Sequence, residues 1–202
     1  MKVLSVAMGI IVLSVFRVTK LGNTKLLGWT IYLFLVGNIL EAVFRDVQMG
    51  TIANYLNAAA GVLLIATLNK IKTIHIDNKE GYKDLHWGGM TLMWIVGYTI
   101  WNWVFVYLNF GFQSAALHLA VLGSALTVGF INRERWLQAR VFTLGTYFII
   151  FHSVPHLNSL LLADAYNEQF GMVMSLVAFG FMVAYSVLFA QRSPLAHCKA
   201  CN

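Results

Sequence analysis

Three histidines, one glutamate and a set of asparagines lie inside runs of this chain that are otherwise apolar. In Phe151-His152-Ser153-Val154-Pro155-His156 two imidazoles stand four residues apart, with a proline between them. That spacing puts both rings on one helical face, and ionisable groups in so apolar a setting are expected to turn toward something polar. Three chemistries suit them. His152 and His156, with His118 or Glu41, could complete a tetrahedral metal set; His118 and His156 could serve as axial haem ligands; or imidazoles and a carboxylate could line a cavity that binds a solute or relays protons. H-x-x-x-H here lacks the internal acid that supplies the general base in metalloprotease helices, so binding is favoured over catalysis and no cofactor is assigned. Pro155 removes a backbone donor and should bend its helix, a candidate gate between the two rings.

The elements that must hold these groups follow from composition. The chain is 59% hydrophobic and 11% charged, against roughly 25% charged in soluble domains; the expectation is an all-α integral membrane protein. Apolar runs mark seven helices near 2–19, 26–45, 50–70, 87–109, 113–132, 140–163 and 168–190, forming one membrane domain over 1–190 with a tail at 191–202. Of the 14 basic residues, 12 fall in alternate connections and the tail, leaving Lys2 and Arg45 on the other side. This alternation predicts a seven-helix bundle with its N-terminus outside and its C-terminus in the cytoplasm. It also explains the net charge of +6 without nucleic acid. The first helix reads as a retained span, because its stronger positive cluster, Arg17, Lys20 and Lys25, follows the apolar run. His197, Cys198 and Cys201 fall in the tail, where a free-thiol reading outweighs a zinc site, which usually needs four ligands.

Orientation gives each polar residue a depth, at about 1.5 Å per helical residue. Asn38, Glu41 and Arg45 fall near the outer end of the second helix, Glu41 and Arg45 one turn apart as a possible pair. Asn54 and Asn57 open the third helix. Trp101, Asn102 and Asn109 occupy the outer half of the fourth, where Tyr107 reads as part of an aromatic belt. His118 lies in the first turns of the fifth, and His152, His156 and Asn158 in the outer half of the sixth. The expectation is an outward cavity lined by Asn38, Glu41, Asn54, Asn57, Trp101, Asn102, His118, His152 and His156, binding and translocating a small polar or amphipathic solute. A His-ligated metal or haem enzyme and a receptor-like or scaffolding subunit are the alternatives. The expected surroundings are the lipid bilayer of a plasma membrane or bacterial inner membrane, with lateral faces free for a homo-oligomer. No lysine stands in 170–190 to hold a retinal, no Pro-Gln dipeptide marks a sugar or cystine carrier, and no internal repeat joins the first and last three runs.

Overall fold

A computed structural model describes residues 2–77, 83–154 and 166–198, with 2–5 and 192–198 described by backbone alone. Among the described residues six helices and one β-hairpin follow in order: α1 (Lys2–Val18), α2 (Lys25–Met49), α3 (Ile52–Ala66), β1 (Ile74–Asp77), β2 (Asp84–Trp87), α4 (Leu92–Ile131), α5 (Trp136–Ser153) and α6 (Glu168–Cys198). Short 3-10 turns lie at Lys20–Asn23, Ile71–Thr73 and Arg133–Arg135. The architecture is all-α apart from the hairpin.

Local chemistry sets the ends of these helices. Along α2 the buried positions Leu27, Ile31, Leu35, Ile39, Ala42 and Asp46 recur every three or four residues, the stripe of a helix with one face inward. Gly50 stops α2 in the left-handed region at φ 72°, where glycine carries no Cβ penalty. Thr51 then caps α3, its hydroxyl accepting from the Asn54 amide at 3.2 Å. The chain thus reverses over two residues, and α3 lies against α2.

The 40 residues of α4 are two arms, not one rod. Gly111 has φ 84° and ψ −178°, a region essentially closed to residues with a side chain. Asn102 and His118, each two turns or so from that glycine, meet at 2.8 Å, and a Cβ on Gly129 would touch Ile95. The arms 92–110 and 112–131 are therefore antiparallel. The break falls inside the connection expected at 110–112.

Indoles tie α4 to α3. The ring N–H of Trp94 donates to the Leu64 carbonyl at 3.1 Å and that of Trp101 to the Asn57 carbonyl at 2.9 Å. Beside them Tyr98 stacks on Trp94 and meets Trp136 edge-on, with ring centroids 5.6 and 5.0 Å apart. α6 packs on α3 and α4, while α5 packs on α4 and α1.

The stretch expected as a simple connection at 70–86 contains the antiparallel hairpin, with Ile74 opposite Trp87 and Asp77 opposite Asp84. It is pinned to the helix ends. The Leu85 amide donates to Gln138 Oε1 at 2.7 Å, Gln138 Nε2 donates to Asp84 at 2.9 Å, and Asp84 pairs with Arg17 at 3.0 Å and Arg135 at 3.5 Å.

Among the described residues three helices are long and apolar enough to cross a membrane: Lys25–Met49, Leu92–Ile131 and Glu168–Gln191. Large apolar side chains are exposed along them, including Leu33, Leu40 and Phe44 on α2 and Val173, Leu176 and Val187 on α6. Some boundaries differ from expectation. α5 begins at Trp136 and ends at Ser153, where the sequence suggested 140–163, and α6 continues to Cys198 beyond the expected end at 190. Val154 is extended at φ −111° and ψ 99°, the conformation a residue before proline prefers. Pro155, His156, Asn158 and the remainder of the expected sixth helix to 163 lie outside the described residues.

Candidate functional site

A cavity of about 550 Å³ opens between α1, α2, both arms of α4 and α5, with Leu85 of the hairpin also lining it. Its walls are apolar and aromatic: Val6 and Leu13 on α1, Phe34 and Leu35 on α2, Phe105 and Phe110 on α4, Leu144 and Phe148 on α5. Set into them are Asn38, Asn102, His118, Arg140, Tyr147 and His152.

Three of these polar residues touch. The α4 hairpin brings Asn102 and His118 to one level, and Arg140, one turn into α5, reaches the same point. The Asn102 side-chain oxygen accepts from His118 Nε2 at 2.8 Å and from Arg140 Nη2 at 3.4 Å, with Nη2 and Nε2 3.2 Å apart. One oxygen thus serves two donors. Arg140 is only 5% exposed, and its Nε and Nη1 have no hydrogen-bond partner among the described residues. None of the ion pairs among the described residues involves it. Arg140 thus places a guanidinium in the cavity wall, with two buried donors that have no partner among the described residues.

The other lining groups are partly self-satisfied. Asn38 Nδ2 donates to the Phe34 carbonyl at 2.9 Å, and His152 Nδ1 donates to the Phe148 carbonyl at 2.9 Å. His152 is exposed at the C-terminal end of α5. Tyr147 meets the His118 ring edge-on at 6.4 Å and stacks on Phe151 at 5.5 Å.

The rest of the expected lining set goes elsewhere. Glu41 is exposed on α2 and does not line the cavity, because the inward stripe passes through Ile39, Ala42 and Asp46, out of phase with it. It makes no ion pair with Arg45; Arg45 donates to Asn109 at 3.1 Å and sits 4.8 Å over the Phe110 ring. Asn54, Asn57 and Trp101 belong to a second buried cluster. Its centre is Asp46, fully buried, whose carboxylate accepts from Asn54 at 2.8 Å, Asn57 at 2.7 Å and Asn109 at 2.7 Å. Trp101 borders that cluster through the Asn57 carbonyl. Tyr107 is not a belt residue: it is 1% exposed, and its hydroxyl bonds to both backbone groups of Asn167.

Two residues outside the expected lining set, Arg140 and Asp46, thus matter most. In the sequence Arg140 counts among the alternating basic residues at the start of the run 140–163, and Asp46 falls in the connection after the second run. For a metal, no group of three or more His, Cys, Asp or Glu side chains gathers among the described residues, and His156 lies outside them. His118 faces a guanidinium, whose charge opposes a cation at that nitrogen.

This arrangement defines an all-α protein with helices long and apolar enough to cross a membrane and a polar trio set into an apolar cavity. The chain belongs to the family described as "Family of unknown function (DUF5692)", whose model matches residues 1–201. No curated protein and no solved structure matches it.

Proposed function

We propose that this chain is a multi-pass membrane protein that binds a small amphipathic solute in the cavity between α1, α2, α4 and α5 and passes it across the bilayer. In this reading each arm of α4 is a separate crossing. With α1, α2, α3, α5 and α6 that makes seven, with the N-terminus outside and the hairpin and C-terminus in the cytoplasm, in a plasma membrane or bacterial inner membrane. Alternation of the basic residues supports the orientation, and the exposed apolar faces of α2 and α6 suit lipid contact.

The observation that carries the binding reading is the cavity itself. Its volume of about 550 Å³ falls within the roughly 300–1,000 Å³ of small-molecule sites, which pair apolar walls with a few placed polar groups. Asn102, His118 and Arg140 are those groups. The test is thermal unfolding of the purified full chain in lipid nanodiscs against a panel of amphipathic acids, amines and neutral compounds. A ligand at 100 times its Kd should stabilise the folded state by about 2.7 kcal/mol, and Leu144→Trp, which fills the cavity, should remove the effect. If no compound shifts the transition, the cavity is not a binding site; binding without uptake into proteoliposomes would limit the reading to binding.

A further inference from the structure

We infer that the ligand is a monoanionic, single-chain amphiphile whose carboxylate seats on the Arg140 guanidinium, an assignment that rests on the binding reading above. The first ground is charge. A buried, permanently protonated guanidinium without a counter-ion is strongly disfavoured, and among the described residues none supplies one. Hydrogen bonding is the second. Arg140 Nε and Nη1 are buried with no partner among the described residues; they lie on different edges of the guanidinium, so a carboxylate takes one of them and completes a fork with the second Nη2 hydrogen, the first remaining on Asn102. A neutral headgroup could accept but would leave the charge uncompensated. A cation would be repelled. A dianionic phosphate would bring one negative charge more than the site neutralises.

Shape decides the tail. Beyond the Arg140 trio the lining of α5 is Val141, Leu144, Tyr147, Phe148 and Phe151 up to exposed His152, and that stretch rises about 18 Å. Opposite it stand Phe34, Phe105 and Phe110. Apolar and aromatic side chains thus line the cavity from the Arg140 trio to the exposed end of α5, which fits one alkyl or arylalkyl chain lying along α5 with its carboxylate at the trio.

The experiment uses four probes of equal chain length, dodecanoate, dodecanol, dodecylamine and dodecyl phosphate, each titrated against the full-length protein in phosphatidylcholine nanodiscs. Dodecanoate should bind at least about tenfold more tightly than dodecanol, as expected for charge-assisted hydrogen bonds at a buried site, with dodecylamine weakest and the phosphate below the carboxylate. Arg140→Gln should bring acid and alcohol to equal affinity. Should that variant fail to fold, Arg140→Lys keeps the charge and loses the planar fork; it should weaken dodecanoate while leaving dodecanol unchanged. Equal binding of acid and alcohol to the wild-type chain, or phosphate above carboxylate, overturns the headgroup assignment and leaves the binding reading standing. Absence of binding by all four probes removes both.

Discussion

Asp46 shows what a single buried carboxylate can hold together. Asn54 and Asn57 come from α3 and Asn109 from the first arm of α4, and all three direct an amide N–H at it, so three helices share one acceptor. Asp46→Ala would orphan all three donors at roughly 1–3 kcal/mol each, and thermal unfolding in nanodiscs should show a loss of about 3 kcal/mol or more by the same accounting. Asp46→Asn, which keeps one acceptor oxygen, should cost less. An unchanged midpoint for the alanine variant would mean the cluster does not lock the helices. The cluster was half legible: Asn54 and Asn57 stand out as amides in an apolar run, whereas Asp46 follows Arg45 and looks like the charged end of a helix. Extending the stripe of Leu27, Ile31, Leu35, Ile39 and Ala42 by one turn would have turned Asp46 inward and Glu41 out. Arg140 offered no comparable signal, since its burial depends on where the α4 hairpin lies.

At the level of elements, the turn at Gly111 decides whether Asn102 and His118 can meet. Gly111→Ala places a Cβ at φ 84° and should destabilise the protein by about 1–3 kcal/mol. Gly123→Ala is the control. A Cβ there meets nothing within 4 Å, and replacing a glycine in a helix interior should stabilise by about 0.8–1 kcal/mol; equal shifts in unfolding midpoint for the two variants would contradict the hairpin. Phe110-Gly111-Phe112 was readable as a break because two apolar runs of spanning length meet there. The β-hairpin was not. Its strands are four residues each and carry His and Asp among their apolar positions, so they resemble a loop until Gln138, Arg17 and Arg135 are seen gripping them.

For the whole molecule, composition made helices long and apolar enough to cross a membrane legible, because apolar runs of that length stand out whatever the packing. Packing itself was not legible, since apolar faces toward lipid and toward neighbouring helices have the same composition. The proposed topology predicts that a membrane-impermeant maleimide labels the two cysteines, Cys198 and Cys201, in inside-out vesicles and not in intact cells; labelling from outside would reverse the orientation. The α4 hairpin also bears on how such a molecule is made. Asn102, His118 and Arg140 all lie between the start of α4 and the end of α5, joined by one tight turn and one short connection, so their contacts are local in the chain and rapid to form. As the chain emerges from the ribosome, the charged end of the cavity can assemble from a single stretch against α1 and α2 already made, before α6 has been synthesised.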